Sequence, residues 1–405
     1  MTPIAGRHVL LGVSGGIACY KTCTVARRLT EAGALVDVVM TAAATEFVRP
    51  LVFEALTARP VATSLWDPGK ALEHIHLGRE TDLIVVAPAT AQLIARMAGG
   101  MADDFLTTIL LARKAPLLLC PAMNDQMYRH PETQANLTRV QQQVGGRGIT
   151  ILGPATGALA HGEGEGPGRM VEPEEIVAWT ERLLRSASPF AGKRVVVTAG
   201  PTREAIDPVR VISNRSSGRM GFELARAAWL RGAEVTLITG PTSLTPPVGV
   251  DVVRIESTSE LQEAVSQVLP LAHALLMAAA PADYRPSETA TQKRRREEGP
   301  LKLLLEPTQD VLTTTAYWRV NDAVIVGFAL ETRDVETRAR EKLIAKHLDL
   351  IVANSAVETG SGPEAPDNHV TLVSKDSAEA LPLLSKSDAA EAILDRVGAI
   401  LATRG

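Results

Sequence analysis

Apolar runs separated by an amphipathic stretch open the chain. Arg7 to Val13 and Leu35 to Thr41 are dominated by apolar residues and predict buried strands, whereas Gly15 to Ala32 between them predicts a helix. This order is typical of the βαβ opening of a parallel sheet. Two further apolar runs, Leu83 to Ala87 and Leu117 to Cys120, stop at a proline, as expected of strands that are covered on both faces.

The alternation of strands and helices returns in the second half of the chain. The predicted strands are Arg194 to Thr198, Glu234 to Thr239, Val252 to Ile255, Ala274 to Ala278, Ala323 to Gly327 and Leu350 to Ala353. The predicted helices are Gly221 to Arg231, Ser259 to Leu269 and Val335 to Lys346. We therefore predict an α/β fold with two doubly wound, Rossmann-like domains.

Two stretches depart from this pattern. Gly153 to Gly168 is rich in glycine, with Glu163 and Glu165 alternating with glycines, is too poor in apolar residues for a core, and predicts a loop or flap. A helix is predicted from Pro173 to Leu184, and Ser186 to Gly192 after it has the composition of a linker. We place the domain boundary there, giving domains 1–187 and 188–405.

Composition narrows the possible functions. The chain has 405 residues, 45% of them hydrophobic and 22% charged, with a net charge of −4. This charge favours neither nucleic acid nor an anionic membrane, so small-molecule partners are expected. There is no signal-peptide pattern and no run of about 18 apolar residues, which predicts a cytoplasmic protein without a membrane partner. The three cysteines, Cys19, Cys23 and Cys120, lack CxxC spacing and indicate neither a disulfide framework nor a zinc site.

A first candidate site lies after the first predicted strand. In Gly12 to Ile17 the unpaired N–H groups before a helix favour a phosphate, and Ser14 can add a hydroxyl donor. The segment is not GxGxxG, and Thr41 stands where a dinucleotide site needs an acidic residue. A mononucleotide such as a flavin phosphate fits better than NAD, and a plain tight turn is the structural alternative.

Small residues after two later strands extend this site. Ala87 to Ala91 and Pro121 to Asn124 would let a flat ring approach the sheet edge. We expect His74 to lie in a strand-end loop near Asn124, whose amide could donate to a carboxylate. Taken alone, His74 could equally be a structural histidine.

A second candidate site surrounds Ser216 to Gly221, which precedes a predicted helix and has Asn214 just upstream. Its residues alone indicate only a phosphate or nucleotide site. Lys342 and Lys346 are four apart on a predicted helix and could reach phosphates together, although as isolated residues they would be ordinary surface lysines.

Several longer motifs carry a family resemblance. They are His74 to Gly78 (HIHLG), Pro121 to Asn124 (PAMN), Gly166 to Met170 (GPGRM), Ala199 to Gly221, Ala282 to Arg285 (ADYR) and Gly327 to Thr332 (GFALET). From about Arg7 to Leu401 the chain resembles the bifunctional phosphopantothenoylcysteine decarboxylase and phosphopantothenate–cysteine ligase family of bacterial coenzyme A synthesis. The resemblance implies a flavoprotein-type parallel sheet in the first domain and a nucleotide-binding ligase sheet in the second.

For the first domain the resemblance implies FMN, which oxidises the cysteinyl thiol of 4′-phosphopantothenoylcysteine so that carbon dioxide can leave. It makes His74 the catalytic acid/base and Asn124 the group that holds the substrate carboxylate. The positions expected to contact the flavin are Ser14, Gly15, Thr41, Pro88, Ala89, Thr90 and Met123.

The chain departs from this family in the flap, where relatives have a proton-donating cysteine. Here the segment reads Leu159 to Gly162 and contains His161 instead. Either His161 donates the proton, since the ordinary pKa of an imidazole is about 6.5, or reduction stalls at the enethiol. His161 as a solvated loop residue is the third alternative.

For the second domain the resemblance implies that CTP activates 4′-phosphopantothenate as an acyl cytidylate, which the amine of cysteine attacks. Asn214 would contact this intermediate, Lys293 would be the catalytic loop lysine, and Mg²⁺, with unidentified ligands, would help to offset the phosphate charge. The expected nucleotide contacts are Ser216, Gly218, Ala279, Asp283, Lys293, Gln309, Asp310, Val311, Leu312, Phe328, Lys342 and Lys346. Phe328 would line the cytosine pocket.

Two departures affect this domain. Gln309 replaces the usual proline, and Arg294 to Arg296 stand where lysines are commoner. A solvated basic run or nucleic-acid patch is the alternative for that loop.

The resemblance also implies a homo-oligomer in which trimeric first domains and dimeric second domains close as a dodecamer. One alternative is another decarboxylase or reductase of the flavoprotein superfamily with a degenerate ligase half, which the set Asn214, Asp283 and Lys293 opposes. The other is a flavin-binding regulatory subunit, which His74 and Asn124 oppose.

Overall fold

The computed structural model describes residues 3–66, 72–142, 148–158, 164–293, 301–319, 322–331, 334–355 and 367–404. The chain divides into two compact units, Met1–Ser186 and Ala187–Gly405. Each unit is built on its own sheet. No helix in the described ranges is long and apolar enough to cross a membrane.

The first unit contains a parallel sheet in the order β3-β2-β1-β4-β5-β6 and a separate antiparallel hairpin, β7–β8. Its strands are β1 (His8–Val13), β2 (Leu35–Met40), β3 (Val61–Ala62), β4 (Leu83–Ala89), β5 (Leu117–Pro121), β6 (Ile149–Ile151), β7 (Ala155–Ala158) and β8 (Glu165–Arg169). Its helices are α1 (Cys19–Glu31), α2 (Ala42–Thr45), α3 (Pro50–Thr57), α4 (Glu73–Glu80), α5 (Ala91–Ala98), α6 (Phe105–Ala112), α7 (Asp125–Arg129), α8 (Pro131–Gln142) and α9 (Pro173–Leu184).

The central strands of this sheet are buried on both faces. Val9, Leu11 and Val13 of β1 belong to one apolar cluster, and Leu10 belongs to another. Because successive side chains of a strand point to opposite faces, β1 has a core on each side. This explains the continuous apolar run from which the strand was predicted.

The second unit contains an eight-stranded sheet in the order β13-β12-β9-β14-β17-β18-β20-β21. Its strands are β9 (Arg194–Ala199), β10 (Arg203–Ala205), β11 (Val211–Ser213), β12 (Glu234–Thr239), β13 (Asp251–Arg254), β14 (Ala274–Met277), β15 (Tyr284–Pro286), β16 (Leu305–Pro307), β17 (Val324–Glu331), β18 (Leu350–Ser355), β19 (Asp367–Asn368), β20 (Val370–Val373), β21 (Ala378–Ala380) and β22 (Leu384–Ser385). Its helices are α10 (Arg219–Leu230), α11 (Thr258–Val268), α12 (Val311–Thr314), α13 (Val335–Ala345) and α14 (Lys386–Arg404), with 3₁₀ turns at Leu269–Leu271 and Ala316–Trp318.

In the eight-stranded sheet the six strands β13, β12, β9, β14, β17 and β18 are parallel, which confirms the predicted doubly wound sheet. Strands β20 and β21 add an antiparallel edge that was not predicted. The six parallel strands of the second sheet have the same order as the six strands of the first sheet. The chain winds to one side from β1 and to the other side from β4, and the same reversal occurs between β9 and β14. Ligands bind at such a switch point, beyond the carboxyl ends of the strands.

Among the strands, two predictions were wrong by more than two residues. The segment Gly153 to Gly168 is not a loop throughout, because β7 and β8 pair within it. The pairing uses backbone groups, so it does not need the β-branched residues that usually identify a strand. The other error is β17, which continues to Glu331, past the predicted end at Gly327.

Candidate functional sites

The loop after β1 lies at the switch point of the first sheet. Helix α1 begins at Cys19, later than the predicted Gly15. Among the described residues, the N–H groups of Gly15, Gly16 and Ile17 have no hydrogen-bond acceptor. Three neighbouring N–H groups at the carboxyl edge of a parallel sheet can bind an anion such as a phosphate.

Ser14 connects this loop to β4. Its buried hydroxyl donates to the carbonyl oxygen of Pro88 at 2.8 Å, and Ser14 Oγ accepts the Thr90 N–H at 3.0 Å. The Ser14 hydroxyl therefore donates to the protein in this structure, and its donation to a phosphate stays a prediction. Its role in the structure is to hold two loops of the switch point together.

The other expected flavin contacts lie around the same edge. A Cβ on Gly15 would lie 2.4 Å from the Cβ of Ala43, so only glycine lets the β1 loop pass α2. Thr41 and Thr90 are the N-cap residues of α2 and α5. Pro88 and Ala89 are buried as the last residues of β4, rather than following it.

Asn124 is the N-cap residue of α7. Its Oδ1 accepts the Gln126 N–H at 2.9 Å, and its Nδ2 has no acceptor in the part of the chain that the structure describes. The amide donors that a substrate carboxylate would need are thus available. Asn124 follows β5, whose parallel pairing with β4 places it at the edge occupied by the β4 loop.

The hairpin β7–β8 packs directly on the segment before α7. The Met123 N–H donates to the carbonyl oxygen of Gly168 at 2.9 Å. A Cβ on Gly168, whose φ is +146°, would lie 2.2 Å from the Met123 oxygen. Glycine is therefore required for this close approach. His161, which stands between β7 and β8 in the sequence, lies outside the described residues.

His74 is in α4 and not, as predicted, in a strand-end loop. Helix α4 ends at Glu80, just before β4 begins at Leu83, so its first turn points toward the carboxyl edge of the sheet. His74 Nδ1 is buried and has no hydrogen-bond partner among the described residues. An unsatisfied buried polar atom costs about 1–3 kcal/mol, which a bound group could offset.

The packing of α4 also directs His74 inward. Leu77, three residues later and so on the same face of the helix, packs against the apolar cluster that Met123 also contacts. His74 and the segment carrying Asn124 therefore adjoin one apolar region. The sequence did not reveal this because an eight-residue helix is too short for its periodicity to distinguish it from a loop.

In the second unit, α10 begins against the end of β9. Gly218 is its N-cap residue with φ +76°, and a Cβ there would lie 2.8 Å from Thr242 Cγ2. A Cβ on Gly221 would lie 2.5 Å from the Cβ of Ala199. Ser216 Oγ accepts the Gly218 N–H at 3.3 Å. The N-terminus of α10 is thereby held at the switch point, where its dipole favours phosphate.

The segment after β14 lies beside Asn214. Asn214 Nδ2 donates to the carbonyl oxygen of Pro281 at 2.8 Å, which leaves its Oδ1 available. The Ala279 N–H donates to Thr198 Oγ1 at 3.0 Å. Asp283 is exposed two residues after Pro281. The structure therefore brings Asn214, Ala279 and Asp283 to one edge of the sheet, and their contacts with a nucleotide stay predictions.

Lys293 is exposed at the end of a described segment, and Arg294 to Arg296 lie outside it. The base of this loop is tied to the region of β10. Thr289 Oγ1 donates to the Ala205 oxygen at 3.1 Å, and the Ala290 N–H donates to the Ile206 oxygen at 3.0 Å. The loop therefore starts from a fixed position on the hairpin β10–β11.

Lys342 and Lys346 pair with different carboxylates in this structure, and their joint contact with phosphates stays a prediction. Lys346 is the C-cap of α13 and pairs with Asp310, whereas Lys342 Nζ lies 2.6 Å from Glu331 Oε1. Burial alone would raise the pKa of Asp310, but Lys346 and the Thr313 N–H together keep this pKa below its usual value. Each lysine thus neutralises a different carboxylate.

The remaining expected nucleotide contacts differ in exposure. Gln309 is exposed, whereas Val311 and Leu312 are buried in the core, so only their backbone could face a ligand. Phe328 is half-buried inside β17, opposite Val352, and does not follow the strand as predicted. A half-buried ring can still form one wall of a pocket.

Asp207 was not identified from the sequence. Its buried carboxylate accepts the Val209 and Arg210 N–H groups at 2.8 and 2.9 Å and pairs with the Arg210 guanidinium at 2.5 Å. Burial would raise the pKa of Asp207, but these donors lower it to about 2. The sequence Asp207-Pro208 was the available signal, because aspartate before proline favours such turns.

No group of three or more histidine, cysteine, aspartate or glutamate side chains that could hold a metal ion occurs among the described residues. Magnesium usually binds through one or two carboxylates together with substrate phosphates and water. Its ligands here therefore stay unassigned.

Comparison with known proteins covers nearly the whole chain. Residues 2–185 match the Flavoprotein family, and residues 190–401 match the DNA/pantothenate metabolism flavoprotein C-terminal domain. The coenzyme A biosynthesis bifunctional protein CoaBC of Vibrio cholerae is 48% identical over 97% of this chain and 98% of its own length. The CoaBC proteins of Bacillus subtilis and Mycobacterium tuberculosis are 43% and 46% identical, over 97% and 98% of this chain and 97% of each relative. The resemblance drawn from the motifs is thus confirmed, and the chain belongs to the family of coenzyme A biosynthesis bifunctional (CoaBC) proteins.

Proposed function

We propose that the chain catalyses two consecutive steps of coenzyme A biosynthesis. The second unit ligates cysteine to 4′-phosphopantothenate with CTP, and the first unit decarboxylates the product to 4′-phosphopantetheine with FMN. The observation that supports the proposal is that both sheets have a switch point, between β1 and β4 and between β9 and β14, where open α/β sheets bind ligands. The proposal therefore assigns one ligand edge to each unit.

The residues of the first unit fit FMN. Its phosphate would be held by the N–H groups of Gly15, Gly16 and Ile17, which lack acceptors among the described residues. When bound, FMN supplies an acceptor for the electron pair of the cysteinyl thiol and a donor that returns the pair after carbon dioxide has left. Asn124 Nδ2 donates to the substrate carboxylate and orients it. His74, whose Nδ1 has no partner among the described residues, moves the proton.

The second unit would bind the CTP phosphates at the N-terminus of α10, with Lys293 and Mg²⁺ offsetting their charge. A carboxylate oxygen of 4′-phosphopantothenate attacks the α-phosphorus of CTP, forming an acyl cytidylate and releasing pyrophosphate. Asn214 Oδ1 faces this intermediate. The amine of cysteine then attacks the acyl carbon, CMP leaves, and the amine loses a proton. Asp283 contacts the nucleotide, and Phe328 lines the base pocket.

The proposal includes a cytoplasmic homo-oligomer, with first units as trimers and second units as dimers. Exposed apolar side chains on the first unit support self-association, because Ile17, Tyr20 and Leu51 are 70%, 63% and 71% exposed. Where exposed apolar side chains cluster, they are typical of protein–protein contact surfaces. A molar mass of twelve chains by light scattering is expected.

A coupled assay tests the function. Purified protein with FMN, Mg²⁺, CTP, cysteine and 4′-phosphopantothenate is expected to release pyrophosphate and carbon dioxide and to form 4′-phosphopantetheine, identified by mass spectrometry. A product two hydrogens lighter than 4′-phosphopantetheine would show that the reaction stops at the enethiol, and would oppose proton donation by His161. Absence of pyrophosphate with CTP would overturn the ligase assignment, and absence of decarboxylation would leave the first unit as a flavin-binding subunit.

A further inference from the structure

Thr202, three residues after β9 ends, joins three segments of the second unit. It is completely buried. Its Oγ1 lies 2.9 Å from Thr258 Oγ1 at the start of α11 and accepts the Ala282 N–H at 2.8 Å. Its backbone oxygen accepts the Ser213 hydroxyl at 2.7 Å. One residue thus bonds to β11, α11 and the segment after β14.

These bonds end next to the two groups that the proposed ligation must align. Ser213 precedes Asn214, and Ala282 precedes Asp283. A further hydrogen bond, from Asn214 Nδ2 to the Pro281 oxygen, joins Asn214 directly to the segment that carries Asp283. Thr202 therefore fixes the residue before each group, and their relative position depends on it.

Ala282 is also held from the other side. Thr308 Oγ1 donates to the Ala282 oxygen at 2.6 Å, and the Thr308 N–H donates to the Asp283 oxygen at 2.9 Å. Removing the Thr202 hydroxyl would leave the buried Ala282 N–H without its acceptor, so this segment would have to shift toward another partner. A shift there moves Asp283 relative to Asn214.

We propose that Thr202 is a positioning residue for the ligation step, an inference that rests on the proposed function of the second unit. It acts by holding Asn214 and Asp283 in register, through Ser213 and Ala282. None of the three substrates needs to touch it. Its loss should therefore reduce the rate of the bound complex more than the affinity for substrates.

The test uses the full chain and follows pyrophosphate release. In Thr202→Val, which keeps the shape of the side chain, kcat for ligation is expected to fall at least about tenfold, while KM for CTP and for 4′-phosphopantothenate changes less than about threefold. Thr202→Ser, which restores the hydroxyl, is expected to recover kcat to within about threefold of the original value. Decarboxylation of supplied 4′-phosphopantothenoylcysteine by the same samples reports the active concentration of the first unit.

Thr258→Val is the matched control. It also removes a buried hydroxyl and breaks the same Thr202–Thr258 bond, but it leaves the bond to Ala282. A positioning role predicts that kcat stays within about threefold in this variant. If Thr258→Val and Thr202→Val lose kcat equally, and in parallel with their thermal stability, Thr202 is only structural and the proposal is overturned.

If Thr202→Val does not fold, Thr308→Val tests whether the position of Ala282 controls kcat for ligation. It releases Ala282 from the opposite side at a half-buried position and is expected to lower kcat with little change in KM. An unchanged kcat in this variant would overturn the proposal. A wild-type chain that releases no pyrophosphate would instead remove the ligase function on which the proposal rests.

Discussion

Ser14 and Pro88 join the two strands at the switch point of the first sheet, because the Ser14 hydroxyl donates to the Pro88 oxygen at 2.8 Å. Ser14 lies just after β1, and Pro88 is the residue before the last residue of β4. The bond lies between the N-cap of α5 and the N–H groups after β1 that have no acceptor among the described residues. Preorganisation of the flavin site should therefore depend on Ser14 even though its hydroxyl is not free.

Ser14→Ala is expected to weaken FMN binding without abolishing it. Loss of one buried hydrogen bond costs about 1 kcal/mol, which corresponds to a rise of about fivefold in Kd if the cost falls on the bound conformation. Quenching of flavin fluorescence on binding measures this change. Thr138→Val, which removes an exposed hydroxyl from α8, is the control and should leave Kd unchanged. An unaltered Kd in Ser14→Ala would contradict the prediction.

Gly168→Ala is expected to reduce decarboxylation at least about tenfold, since sub-ångström displacement of catalytic groups has effects of this size. The added Cβ would meet the Met123 oxygen at 2.2 Å and push β8 away from the segment that carries Asn124. Release of carbon dioxide measures the effect, and ligation by the second unit should be unchanged.

Gly164→Ala is the matched control for this variant. Its φ of +77° is also positive, but no described atom lies within 4 Å of the added Cβ. Both variants therefore place a Cβ on a residue with positive φ, but only Gly168→Ala brings that Cβ against the Met123 oxygen. Equal losses in both would show that backbone strain, rather than contact with Met123, controls the hairpin.

His74→Ala is expected to lower decarboxylation by about 10²- to 10⁴-fold, as loss of a general acid or base does, while FMN still binds. His76→Ala is the control, because His76 is exposed on the same helix and pairs with Glu80 at 3.4 Å. Single-turnover reduction of the bound flavin follows the step directly. Retention of this step in His74→Ala would assign the proton transfer to another group.

The sequence predicted the parts of the fold that depend on local pattern. Glu234–Thr239 and Pro173–Leu184 have the predicted bounds, since a strand buried on both faces or an amphipathic helix shows in its own residues. Helix α4 and the hairpin β7–β8 could not be predicted in this way. They are short, and their conformation depends on packing against distant segments, as the contact of Gly168 with Met123 illustrates.

The candidate sites also contain residues that a local motif could predict and tertiary contacts that it could not. Motifs identified Asn124, Asn214 and Asp283, because those residues stand in recognisable segments. The hydrogen bonds that hold these segments in place could not be predicted from the motifs, since Thr202 bonds to Thr258 and Ala282 across sequence separations of 56 and 80 residues. The pairing of each lysine near α13 with its own carboxylate likewise follows only from tertiary structure.

The buried carboxylate of Asp207 gives a prediction for acid stability. Its pKa is about 2 in the folded chain, below the ordinary value of 3.8. A group with a lowered folded pKa stabilises the folded state above its unfolded pKa, and this contribution is lost as pH falls from about 4 toward 2. Asp207→Asn lacks the charge and should lose less stability across that interval.

Denaturant unfolding of the full chain measures this difference, using the transition that CTP shifts as the signal of the second unit. At pH 7 Asp207→Asn is expected to be less stable than the wild type, and the gap should narrow as pH falls toward 2. Asp395→Asn is the control, because the Asp395 carboxylate is mostly exposed and its ion pair with Arg231 therefore contributes little. A gap that stays constant with pH would mean that the turn depends on hydrogen-bond geometry at Asp207 and not on its charge.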